Sequence, residues 1–208
     1  SVMGILTKIP AKNIRDELAK LNKPDKYGAG WNDLIAGFTS NNAGGTTPAT
    51  WQQIGATGRY AMEFDAGDSL FANFHVLHDW KVGTLAYPHI HWLCAIALTA
   101  GDTVTWKMHW SIARGHQQGE SLIATTNTIT MVYTARGDEV AGEHMVLECS
   151  DAQAIDLIET DAILMIEVEM DAETVTGTSE IFGLQADLHY QSDGLLTTTK
   201  APGFIRNV

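Results

Sequence analysis

From Arg59 onward, short runs of alternating apolar and polar residues are separated by breaks rich in Asp and Gly. "RYAMEF" and "SLFANFHVL" flank "DAGD"; "PHIHWLCAIAL" and "TVTWKMHWSIA" flank "TAGD". "SLIATTNTITMVYTA" and "EVAGEHMVLEC" flank "RGD"; "AILMIEVEMD" and "SEIFGLQADLHY" flank "AETVTGT". A period of two puts alternate side chains on opposite faces and predicts β-strands. The breaks supply the residues that tight turns need, so each pair is expected to form a hairpin. Eight strands at this spacing, with almost no helix, predict an all-β fold, an antiparallel β-sandwich or jelly roll. "SDAQAIDLIET" is the one stretch of the body that reads as a short helix, with Ser150 or Asp151 as its cap.

The alternation also assigns faces. Ile90, Trp92 and Cys94 share one face of their strand, and Trp106, Met108 and Trp110 share one face of the next. If the two strands pair, these apolar faces line the core. His89 and His91 then lie on the outer face or in the wall of a shallow groove.

Residues 1–58 read differently. Ile14, Leu18 and Leu21 recur at helical spacing until Pro24, and "GFTSNNAGGTTPATW" follows without periodicity. The expected organisation is an irregular N-terminal arm over 1–58, with one short helix and an extended loop, and a sandwich domain over 59–208. Ile14, Leu18, Leu21, Trp31 and Trp51 are the arm residues expected to touch neighbouring subunits.

Charge sharpens this division. The formal net charge is −12, yet six of the 13 Lys and Arg residues fall at Lys8, Lys12, Arg15, Lys20, Lys23 and Lys26. The body is more acidic than the average and has no basic cluster, which argues against nucleic acid and anionic membranes as partners. "SVMGILTKIPAKNIRD" has no apolar segment of the kind a secretory signal needs, and no run approaches a membrane span. The chain is read as non-secreted, with Cys94 and Cys149 as buried free thiols.

Candidate chemistry centres on "PHIHW". Two histidines two residues apart sit about 7 Å apart on one strand face, half of a metal site. Metal-dependent cupins use such a pair with a third His and a carboxylate. His75, His78, His109 and His189, with Glu63, Glu167 and Glu169, are the groups that could complete it. No carboxylate follows His91 before Asp102, so the expectation is no metal, no cofactor and no catalytic residue. Under the cupin-like alternative, an enzyme would use His89, His91 and His109. Glu167, Glu169, Asp171 and Glu173 alternate on one strand and read as a solvated face. Arg136, Gly137 and Asp138 read as a turn. A third alternative is a carbohydrate-binding sandwich with Trp31, Trp51 and Trp80 as exposed stacking platforms.

Several fragments in order carry a resemblance: "GWNDLIAGF" and "PATWQQI", then "FHVLHDWKVGT", "YPHIHW", "DTVTWKMHWSIA", "ADLHYQSDG" and "KAPGF". Over residues 31 to 204 the chain resembles small structural proteins encoded in the structural modules of tailed bacteriophages and prophages. The resemblance implies a virion component that folds in the host bacterial cytoplasm. The expected role is a capsid decoration or cement protein, a homo-oligomer, taken as a trimer, bound to the major capsid protein. A tail or fibre-attachment protein is the alternative. It implies no catalytic residues.

Overall fold

The computed structural model describes residues 29–39, 47–115, 127–177 and 180–193. Their strands are β1 (Ala29–Ala36), β2 (Thr47–Pro48), β3 (Thr50–Gln53), β4 (Tyr60–Phe64), β5 (Asp68–His75) and β6 (Leu85–Cys94). β7 (Thr103–Ala113), β8 (Asn127–Thr134), β9 (Met145–Glu148), β10 (Ile155–Asp156), β11 (Ile163–Glu173) and β12 (Ile181–Asp193) follow. Among the described residues, no helix is long and apolar enough to cross a membrane.

Two sheets form. In the larger, β12 lies between β6 on one side and β4 and β1 on the other. β9 and β10 extend it beyond β6, and β3 extends it beyond β4. The smaller sheet runs β2-β5-β11-β7-β8. All pairings are antiparallel except that of β2 with β5. From β4 onward the chain crosses repeatedly between sheets, giving the orders β4-β12-β6-β9 and β5-β11-β7-β8. That is the winding of a jelly-roll β-sandwich.

The strand runs are therefore where the alternation puts them, but the hairpins are not. The strands flanking "DAGD", "TAGD", "RGD" and "AETVTGT" lie in opposite sheets in every case. Asp and Gly reverse the chain without specifying whether the next strand pairs or crosses the core. Both outcomes bury the same apolar face, so the pattern of one strand cannot separate them. The consecutive strands that do pair are β3 with β4 and β7 with β8.

The core fills the space between sheets. Trp92 and Trp106 face each other across it at 6.2 Å between ring centroids, and Phe64 meets Trp106 edge-on at 5.1 Å. Trp92, Trp106, Ile90, Met108, Leu164 and Ile181 are fully enclosed, as the face assignment requires. Trp110, at the far end of β7, is only partly buried. Gly183 is needed on β12 because a Cβ there would stand 2.6 Å from the Phe64 ring. Cys94 and Cys149 are both buried and unbridged, and burial pushes the Cys149 thiol up to about 12.

The segment read as an arm differs most from expectation. Its described part is built into the sandwich: β1 pairs with β12 over eight residues, β2 joins β5, and β3 joins β4. Leu34 and Phe38 pack on the core, and Asn32 Nδ2 donates to the Tyr190 hydroxyl at 3.0 Å. Gly, Asn and Asp lower strand propensity along this segment, but a paired ladder on an existing sheet overrides propensity. Ile14, Leu18 and Leu21 lie outside the described residues. Two smaller expectations also change. The stretch at 150–160 holds only a 3₁₀ turn (Asp151–Gln153) before β10. Trp80 is buried, 1% exposed, and offers no stacking platform.

Candidate functional site

β6 presents Tyr87, His89 and His91 away from the core, because Ala86, Pro88, Ile90 and Trp92 occupy its inner face. Pro88 is the fourth residue of this strand. Its carbonyl accepts from the Cys149 N–H at 3.0 Å, so its missing N–H faces the break between β9 and β10, where no ladder partner is lost. Register then decides what surrounds the histidines. Asp187 of β12 stands opposite His89, and Glu148 of β9 stands opposite His89 from the other side. His189 pairs with Tyr87 on β6 and with Asp33 on β1. His144, just before β9, reaches His91.

The result is a patch of four imidazoles and three carboxylates on the outer face of the larger sheet. His89 and His189 overlap at 4.0 Å between centroids, and His91 Nδ1 lies 2.8 Å from His144 Nε2. His189 is held between Asp33, 2.9 Å from Nε2, and Glu148 on Nδ1. Asp187 Oδ2 lies 3.3 Å from His91 Nε2 and 3.8 Å from His89 Nε2. Neighbouring side chains bury His89 to 1% exposure although it faces away from the core. That burial, then the nearby His189, lowers its basicity below the usual imidazole value. Two trios each bring one donor atom per residue within 4.8 Å of the others: Asp33, His89 and His189, and His89, His91 and Asp187.

The remaining sequence candidates are elsewhere. His109 sits on the smaller sheet, with Nε2 2.8 Å from Glu169 and Nδ1 3.0 Å from the Thr128 hydroxyl. It cannot join His89 and His91, because β6 and β7 belong to opposite sheets and both sets face outward. The cupin-like trio of His89, His91 and His109 is therefore not brought together. His75 and His78 converge on Asp161, at 3.0 and 2.5 Å. Glu167 accepts from Ser69 at 2.8 Å. The space between the sheets, where an enclosed site would lie, is filled by aromatic and aliphatic side chains. Of the residues named from sequence as possible partners, His189 does meet the pair. Asp187, Asp33, Glu148 and His144 were not singled out. In "ADLHY", Asp187 and His189 stand two apart as His89 and His91 do in "HIH", and that spacing is the signal that could have found Asp187.

One cleft adjoins the patch, and another lies at β3 and β4. The first, of about 290 Å³, is lined by Trp31, Tyr87, Glu148, Asp151 and His189. Trp31 is 59% exposed and meets Tyr87 edge-on at 5.5 Å. The other, a groove of about 490 Å³, is lined by Phe38, Trp51, Tyr60, Ala61, Met62, Gly183 and Leu184.

No protein-family model matches the chain, and no curated protein matches it. Among solved structures, it is similar to the CBM22-1–GH10 modules of endo-1,4-beta-D-xylanase 10B from Clostridium thermocellum, at 16% identity and a TM-score of 0.32. That match covers 78% of this chain and 26% of the xylanase chain, so the chain spans about a quarter of that protein. It is also similar to a non-crystalline cellulose specific carbohydrate-binding module, CBM28, at 14% identity and a TM-score of 0.27, over 78% of this chain and 86% of that one. Likenesses this distant carry no function across.

Proposed function

We propose that the chain is a structural component of a bacteriophage particle, a decoration protein that stabilises the head through contacts between subunits. One observation carries this reading. On β3 and β4 the core-side face continues past the smaller sheet and stays uncovered. Trp51 is in register with Met62, and Tyr60 shares the Met62 and Phe64 face of its strand. Met62 and Phe64 pack on the core, yet Trp51 is 64% and Tyr60 53% exposed. Large aromatics left open on a face that elsewhere forms the core are what a surface for another chain requires. The sequence resemblance to virion proteins supports the same assignment.

In this reading the protein folds in the host cytoplasm and assembles as a homo-oligomer, expected to be a trimer, on the major capsid protein. The test is the double variant Trp51→Ala, Tyr60→Ala in the full chain. Sedimentation should give a smaller assembly and weaker co-sedimentation with heads, at unchanged circular dichroism. A folded double variant that assembles like the parent would remove the role of this face. Cryo-EM density for the chain on the tail instead of the head would select the fibre-attachment alternative.

A further inference from the structure

We propose that His89, His91 and Asp187 form a binding site for one divalent transition ion of the Zn²⁺ class. Zn²⁺ bonds to His nitrogen and carboxylate oxygen of about 2.0–2.1 Å place neighbouring tetrahedral ligands about 3.3 Å apart. Asp187 Oδ2 lies 3.3 Å from one Nε2 and 3.8 Å from the other. The 3.8 Å separation exceeds a hydrogen bond, so His89 Nε2 makes no direct hydrogen bond to this oxygen. An ion between the three donors supplies the missing interaction.

The surrounding groups fix these donors in the required sense. His89 Nδ1 faces the Tyr87 carbonyl at 3.4 Å; a proton there leaves the lone pair on Nε2. His91 Nδ1 and His144 Nε2 lie 2.8 Å apart; with the shared proton on Nδ1, His91 Nε2 carries the lone pair. Asp187 Oδ1 accepts from Gln185 Nε2 at 2.5 Å, leaving Oδ2 for the ion. Such outer contacts orient metal ligands. The other trio is weaker, because both nitrogens of His189 already face carboxylates and Asp33 is exposed. Asp33 and Glu148 nevertheless add negative charge beside the site, which favours a cation. Two imidazoles and one carboxylate suit Zn²⁺ and its first-row neighbours; Ca²⁺ and Mg²⁺ want an all-oxygen shell. Three protein donors leave one tetrahedral position for water.

The experiment uses the untagged full chain, stripped with chelator and titrated with Co²⁺ and Zn²⁺. One Co²⁺ per chain should bind and give the intense visible bands of a tetrahedral centre, and Zn²⁺ should bleach them. His91→Gln and Asp187→Asn should each weaken Zn²⁺ binding by more than about 100-fold, since ligand loss exceeds the 10–100-fold of an outer-contact change. His109→Gln, on the other sheet, should bind as the parent does. The Co²⁺ spectrum of the parent needs no variant, so a misfolded mutant cannot hide the result. Absence of those bands overturns the proposal. Binding that survives Asp187→Asn and His91→Gln, or that falls equally in His109→Gln, also overturns it.

Discussion

On the outer face of the smaller sheet, along β7, Lys107 and His109 each meet an acid of their own. Lys107 Nζ lies 2.5 Å from Asp171, and His109 Nε2 lies 2.8 Å from Glu169. On the outer face of the larger sheet, imidazoles gather beside one another instead, and Asp187 stands near two of them at once. The difference comes from register. β11 carries an acid at every second position against the Lys and His of β7, so pairing neutralises the face step by step. β6 carries two histidines, β12 adds Asp and His, and His144 stands just before β9, so pairing concentrates one kind of group. Glu139 shows how the fold satisfies a buried carboxylate with its own donors. It accepts from the Tyr133 hydroxyl at 2.5 Å and from the Arg136 and Gly137 N–H groups at 2.9 and 2.8 Å. Asp187 has no such set on Oδ2, and that contrast is what an ion would resolve.

Both faces rest on one core, and the largest effect belongs there. Trp106→Ala should cost about 3–5 kcal/mol in urea unfolding. Trp110→Ala, on the same face of β7 but partly open, should cost clearly less. Equal costs would mean that the smaller sheet is covered further along β7 than the comparison assumes.

Zinc should separate the faces next. At a hundredfold excess over its Kd, a bound ion adds about 2.7 kcal/mol, or roughly 5–10 °C in Tm for a chain of this size. Differential scanning calorimetry should show that shift for the parent and for His109→Gln, and lose it for Asp187→Asn. A shift abolished by His109→Gln would place the ion on the wrong sheet.

Acid should act on two buried groups, His89 and Glu139, in sequence. His89 is less basic folded than unfolded, so below about 6.5 the unfolded chain takes up a proton that the folded chain refuses. Stability present above that pH is lost as pH falls through it. Glu139 is held down from 4.5 to about 2, first by the Arg136 N–H and then by the Tyr133 hydroxyl. Its contribution is complete above about 4.5 and disappears as pH falls toward 2. Thermal melts across this range should decline in two stages. Glu139→Gln should lower Tm at neutral pH and flatten the second stage while keeping the first.

Much of this was legible in the chain. Alternation located the body strands, and the outward face of His89 and His91 followed from Trp92 and Trp106 pointing inward. What alternation could not supply was partnership between distant strands. The carboxylate sought a few residues after His91 lies at Asp187, nearly a hundred positions on, because β12 and not β7 pairs with β6. The same gap hid β1, whose residues Trp31, Asn32, Asp33, Leu34, Ile35 and Ala36 do not alternate between apolar and polar, so no period of two marks it. Trp51 was named as a contact residue from its setting alone. Its place on a core-side face needed the register with Met62.

The smallest effect expected is at Lys107. Its ammonium touches Asp171, and that contact raises its basicity, yet both side chains are about 30% exposed. Water screens such a pair, and fixing two flexible side chains offsets much of the attraction. Once Lys107 is removed, Asp171 remains solvated and is not left as a buried lone charge, unlike Asp187 if its imidazoles were removed. Lys107→Ala should therefore move Tm by no more than about 2 °C, and 1 M salt should erase the difference. Asp171→Asn should match it, and the double variant should add nothing. A larger, salt-insensitive loss would show that the smaller sheet's outer face is covered in the assembled protein, and its paired charges would then be buried ones like those around His89.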